Sequence, residues 1–305
     1  KIINKRFFIY YRKNKRDANF LMALDFGMRY RPFYRNLHLV YESRFLGSPN
    51  KNAKQSDLVR NSETRSLYAL MDDLPYNVFF MSGFHRPIFG RINPDHTSTS
   101  QVQFAKSVTG SSSSQSLVFA ASSVGTAPNV PFFNAHKINS VLSPNPSNYG
   151  EVSGFALNTG LRFVSYSASL EYSYWDTDRK TPTGKQNTSA HSLGGNSKFG
   201  PLILGAETIN MTTKNGAKKT TVSTHNLETH VQLFKEIYFT LSSATSDHNR
   251  NLAPGNSQQI KTGIKAFVIP GAEIQILYDY LQEKEKSSPL ETTVSGITGQ
   301  VHFYF

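Results

Sequence analysis

The chain has 305 residues, no cysteine, and 33 basic against 21 acidic side chains, for a formal charge of +12. A disulfide framework, thiolate metal sites and a cysteine nucleophile are thereby excluded. Residues 107–135, within the longest stretch free of Lys, Arg, Asp and Glu, contain four consecutive serines, Pro128 and Pro131, so no apolar helix of about 20 residues exists to span a bilayer.

Taken from the N-terminus, apolar residues recur with a period of two. Phe20, Met22, Leu24, Phe26, Met28 and Tyr30 alternate with Asp25, Gly27, Arg29 and Arg31. Leu37, Leu39, Tyr41 and Phe45 oppose His38, Glu42 and Arg44, and Phe155, Leu157, Leu161 and Phe163 oppose Ala156, Asn158 and Arg162. Further on, Leu227, Val231 and Leu233 oppose Glu228, His230 and Gln232, and Ile260, Ile264, Ala266 and Val268 oppose Lys261, Gly263 and Lys265. Ile274, Ile276, Tyr278 and Tyr280 then oppose Glu273, Gln275 and Asp279, and the last segment sets Ile297, Gly299, Val301, Phe303 and Phe305 against Thr298, Gln300, His302 and Tyr304. Each is a strand with one apolar and one polar face. No stretch of comparable length shows helical spacing.

The connections alternate in length. Residues 13–18, 32–35, 74–75, 109–114, 164–165, 198–200, 234–236 and 270–271 read as short; 47–63, 86–98, 124–150, 176–186, 210–220, 247–257 and 282–289 read as long. That rhythm, with strands of about ten residues, predicts an all-β fold, a transmembrane antiparallel up-and-down β-barrel forming one domain over residues 1–305. The count is about 16 strands, or 14 if the weakest, 101–108 and 187–197, are dropped. An even number puts both termini on the short-turn, periplasmic side. A soluble sandwich has shorter strands and no such alternation. Aromatic residues at strand ends, among them Tyr30, Tyr174, Trp175 and Tyr238, are read as interfacial girdles. The chain opens Lys1-Ile2-Ile3 and is expected to start downstream of a removed leader.

The terminal strand 296–305, ending on Phe305, and the whole strand and loop rhythm resemble Gram-negative outer-membrane porins. The run Gly83-Phe84-His85-Arg86-Pro87-Ile88-Phe89-Gly90 resembles a stretch of phosphate-selective-type porins, and a similar one occurs in barrels that sheath electron-conducting cytochromes. The resemblance implies a bacterial outer-membrane barrel; the local motif covers under a tenth of the chain and implies no substrate.

No chemistry-bearing motif stands out. There is no Gly-x-Ser-x-Gly elbow, His-Glu-x-x-His or phosphate-cradling loop, so catalytic residues, metal and cofactors are all read as none. Asp95-His96 and Asp247-His248 are acid–His pairs in predicted loops, each lacking a third ligand, and ordinary loop polarity explains them. Basic residues do not gather in one block with interleaved aromatics, which argues against nucleic acid.

If the apolar parity faces lipid, the other parity faces a lumen. Its basic members are Arg6, Arg12, Arg29, Arg31, Arg44, Arg162, Lys261 and Lys265; its acidic members are Asp25, Glu42, Asp72, Glu171, Glu207, Glu228, Glu273 and Asp279. Of these, Arg29, Arg31, Glu42, Arg44, Arg162, Glu228, Lys261, Lys265 and Glu273 are the pore-lining candidates. Eight against eight favours a general diffusion pore or a lumen shut by paired charges over strong anion selectivity. Arg86 and Arg91, with Phe132 and Phe133 of the apolar-rich 124–150 segment, are the constriction-loop candidates. Together with the 13–18 connection, the long loops hold 18 basic and nine acidic residues, a difference of +9, which places most of the excess charge at an outer rim facing lipopolysaccharide phosphates. The leading function is passive diffusion of small hydrophilic solutes. The alternative is a closed structural barrel within a larger envelope complex; outer-membrane lipid, lipopolysaccharide, further copies of the chain or envelope proteins are the expected partners.

Overall fold

The computed structural model describes residues 2–13, 18–31, 36–47, 62–91, 99–110, 117–126, 131–139, 151–164, 167–181, 184–248, 257–270, 272–284 and 291–304. In chain order the strands are β1 (Ile2–Lys13), β2 (Ala18–Tyr30), β3 (Leu37–Gly47), β4 (Ser62–Leu74), β5 (Val78–His85), β6 (Phe119–Thr126), β7 (Phe132–Asn139) and β8 (Val152–Phe163). They continue as β9 (Ala168–Thr181), β10 (Gly184–Phe199), β11 (Leu202–Asn215), β12 (Lys218–Phe234), β13 (Ile237–His248), β14 (Ser257–Ile269), β15 (Ala272–Lys284) and β16 (Glu291–Tyr304). One helix, α1 (Thr99–Thr109), interrupts the series between β5 and β6. Every strand pairs antiparallel with its chain neighbours, and β1 pairs with β16 from Arg6↔Tyr304 to Lys13↔Ile297, which closes the barrel and removes both sheet edges.

Parity decides what each face meets. Leu39, Leu67, Leu193, Leu227, Ile276 and Ile297 are all between 45% and 57% exposed, on the outside. A continuous exterior of this kind is matched by acyl chains and not by water. At the end carrying both termini, Tyr76, Phe163, Phe199 and Phe234 form an exposed aromatic border. The opposite, distal end carries the longer connections and the tips of the tall strands β9 to β12.

Sixteen strands agree with the expected number, but two assignments change. Residues 101–108, read as a strand, form most of α1. Gln101, Phe104, Ala105, Val108 and Thr109 are its buried stripe, at the i, i+3, i+4, i+7, i+8 spacing of a helix. Eleven residues are too few for the two periods to separate clearly in sequence. Conversely, residues 132–139, inside the expected 124–150 loop, are β7. Its inward residues Phe132, Asn134, His136 and Ile138 are all buried, so two apolar residues bracket two polar ones and the inward face lacks the polar run that marks the other strands.

The stretches 176–186 and 210–220, expected as long loops, are instead strands running on to tight hairpins between Thr181 and Gly184 and between Asn215 and Lys218. They rise beyond the apolar band and are polar on both faces, so alternation gives no signal there. Asp247-His248 ends β13 in place of a loop. Asp95-His96, Phe305 and the long-loop stretches 48–61, 140–150, 249–256 and 285–290 lie outside the described residues.

Candidate functional site: the infolded segment and the lumen wall

The connection between β5 and β6 turns into the barrel. Residues 86–91 cross the inner wall as an extended strap, pinned strand by strand. The Ile88 backbone N–H donates to His136 Nε2 on β7 (3.3 Å), that of Gly90 to Ser173 Oγ on β9 (3.0 Å), and that of Arg91 to Glu207 Oε1 on β11 (2.6 Å). Arg91 then reaches β12, where its guanidinium meets Glu228 at 2.7 Å. A strap with no sheet partner must satisfy its backbone N–H groups on side chains, and this one does.

The wall is shaped for it. Gly90 has φ +77°, a left-handed conformation natural to glycine, and a Cβ there would strike Glu207 Oε1. A Cβ on Gly205 would come within 2.8 Å of the Arg91 guanidinium, so the side chain lies flat over bare backbone. Ser192 Oγ also donates to Glu207 Oε1 (2.9 Å), fixing the carboxylate that receives Arg91.

α1 returns over the strap and packs on β9, β11, β12 and β13. Phe104 stacks on Phe89 with ring centroids 4.1 Å apart, and both meet Trp175 edge-on, at 5.0 and 6.0 Å. Phe119, Ile138, Ile209 and Met211 complete this buried apolar cluster inside the barrel. Each such side chain contributes about 2 kcal/mol by burial. The last helical turn is held by the wall: Gln186 Nε2 and Thr188 Oγ1 both donate to the Ser107 carbonyl at 2.9 Å. At the strap's start, Arg86 donates to Gln101 Oε1 (2.6 Å), and Gln101 Nε2 donates to the Phe89 carbonyl (3.3 Å).

Beneath the strap, His85 and His136 share Ser123. Because His136 Nε2 accepts from Ile88, its proton sits on Nδ1 and donates to Ser123 Oγ (2.6 Å); the hydroxyl proton then turns to His85 Nε2 (2.7 Å). All three residues are at most 3% exposed, so this Ser–His contact joins wall to strap out of reach of any solute.

The remaining wall, from β14 round to β4, is polar and charge-paired. Arg29 binds Asp72 at 2.7 Å, and His38 Nε2 lies 3.0 Å from the same carboxylate. Lys265 meets Glu273 at 3.2 Å. Lys261 faces Asp279 across β14 and β15, and Asp279 accepts from Gln259 (2.9 Å). Glu42 accepts from Ser66 Oγ (2.9 Å), and Arg31 is exposed just past β2. Arg44 pairs with Asp25 in register; its side chain lies outside the described ones.

The structure thus joins Arg91 to Glu228, and Arg162 to Phe132, whose ring lies 5.3 Å from the guanidinium carbon. It separates Phe133, which is 46% exposed on the outer face of β7. The described residues that fold into the barrel are the 86–91 strap and α1, while residues 132–139 of the expected 124–150 loop are β7. Trp175, read as a girdle residue, is 1% exposed and inward, in the row of Ala156 and Ala190. Gln101, Phe104 and Gly205 were not singled out in sequence, and Gly90 entered only as the end of the porin-like run; the inward place of Trp175, between Ser173 and Thr177, was its legible signal.

No family model and no curated protein matches the sequence. Solved structures do. OmpF of Salmonella typhi in complex with daunomycin aligns with TM-score 0.75 at 12% identity, covering 100% of this chain and 97% of that one. The anion-selective porin of Comamonas acidovorans aligns at 0.70 and 10%, covering 100% and 99%. The trimer form of OmpT from Vibrio cholerae aligns at 0.64 and 9%, covering 100% and 98%. The chain therefore has the fold of the outer-membrane porins, a porin-like β-barrel.

Proposed function

We propose that this chain is a non-enzymatic outer-membrane channel through which small hydrophilic solutes diffuse passively, with both termini on the periplasmic side. The observation that carries this reading is the division of the interior. The strap and α1 fill the half of the barrel along β5 to β13 with an apolar cluster, while the wall from β14 to β4 presents ion pairs and amides to the space that remains. Paired charges on a wall are what a water-filled path requires, because an aqueous lumen keeps them solvated.

The distal rim supports the orientation. Lys214 faces Lys219 directly across the β11–β12 hairpin, with Lys218 beside them, whereas Lys185 is bridged to Asp178. Like charges placed opposite each other are relieved by an anionic surface such as lipopolysaccharide phosphates. A homo-oligomer is part of the reading, as in the trimer form of OmpT.

A closed barrel serving an envelope complex is the second reading, favoured by the apolar packing inside the barrel. Liposome swelling separates the two. Purified protein in vesicles is expected to admit small neutral sugars at rates that fall steeply with solute size. Vesicles no more permeable than protein-free ones would select the closed barrel.

A further inference from the structure

Resting on the channel reading above, we propose that the channel prefers small anions and that Lys106, on the lumen side of α1, sets this preference. The strand-borne charges facing inward are balanced in sequence, eight against eight, but the infolded segment does not cover them evenly. Arg91 lies over Gly194, whose row is flanked by Glu171 on one side and Glu207 on the other, and it binds Glu228 one row away. Three of the eight acidic residues are thus gathered at the strap, Glu207 being 2% exposed. Of the inward charges whose side chains the structure describes, Glu42, Asp72, Glu273 and Asp279 then remain on the wall from β14 to β4, against Arg29, Arg31, Lys261 and Lys265.

The infolded segment tips this balance. Its Arg91 is spent on Glu228 and its Arg86 is turned to Gln101. Lys106 is different. The buried stripe Gln101, Phe104, Ala105, Val108 faces the wall, and Lys106 stands exposed on the other side of the helix. On the wall from β14 to β4, Arg29 is paired with Asp72 and Lys265 with Glu273, so their fields largely cancel. A cation with no ion-pair partner among the described residues, beside a narrowed aqueous path, attracts anions and repels cations. One unit charge about 10 Å from the path, in water, changes each ion's local concentration by about two-fold, and less as salt screens it.

The test is the reversal potential in planar bilayers under a potassium chloride gradient at low salt. Wild-type protein should give a chloride-to-potassium permeability ratio above one. Lys106→Gln should lower it about two-fold and Lys106→Glu further, to near or below one, at a similar conductance. Lys219→Glu, on the outside of the distal hairpin, should leave it unchanged. Both Lys106 variants remove only an exposed side chain, and heat-modifiable migration reports that they fold. A wild-type ratio at or below one, or a ratio that Lys106→Glu does not move, overturns the inference while leaving a channel in place. Absence of any conductance overturns the channel reading, and this inference with it.

Discussion

The Arg91 guanidinium lies across the bare backbone of Gly205 and meets the Glu228 carboxylate at 2.7 Å. That contact ties the end of the strap to the far wall of the barrel. With side-chain exposures of 14% and 21%, the pair is largely shielded.

Removing one partner of this pair strands the other. Arg91→Ala is expected to cost about 2 kcal/mol, below the range for fully buried pairs because both groups keep some solvent. Denaturant titration of the refolded barrel in detergent measures it. Gly205→Ala should act through the same contact, since its Cβ displaces a flexible guanidinium, and a double mutant should cost little more than Arg91→Ala alone.

Gly90 combines a left-handed backbone with a Cβ direction blocked by Glu207. Gly90→Ala should therefore loosen the strap, costing upwards of about 1 kcal/mol and raising current noise in open channels. Current traces as quiet as wild type would show that the strap tolerates the change.

Trp175 is the single tryptophan of the chain, packed between Phe89, Phe104 and Phe119. Its emission reports the seating of α1. Phe104→Ala should shift that emission to longer wavelength and destabilise the barrel by about 3 kcal/mol. An unshifted spectrum would mean that Trp175 does not depend on α1 for its dry environment.

Ser123 Oγ bridges His85 and His136 by hydrogen bonds. Ser123→Ala leaves two buried ring nitrogens without that partner, at a cost of about 1–3 kcal/mol, whereas Ser123→Thr keeps the hydroxyl and should cost less. Differential scanning of the two variants separates hydrogen bonding from packing.

Much of the barrel was legible because a strand between lipid and water writes its surroundings into a period of two. Leu227 against Glu228 and Ile276 against Gln275 are of that kind. The signal failed wherever the two faces stopped differing. On β7, Ile138 faces an apolar cluster instead of water, and Phe132 is buried. At the top of β9 to β12 both faces are polar, so strands read as loops. α1 was missed for a related reason: its alternate residues Val102, Phe104 and Val108 mimic a strand, and only the partners Phe89 and Trp175, distant in sequence, fix the helical face. For the site, parity found Glu228, Lys265 and Glu273 as inward residues. It had no means of finding the strap, whose path depends on Ser173 of β9 and on Gly205 and Glu207 of β11.

The most direct measurement is single-channel conductance of the wild-type barrel beside a variant in which α1 is replaced by a short glycine–serine linker. The expected result is stable ohmic steps for wild type and larger steps for the variant, since the infolded segment occupies half of an otherwise aqueous lumen. Wild-type protein that folds and inserts yet passes no current, or steps that the replacement leaves unchanged, would contradict it.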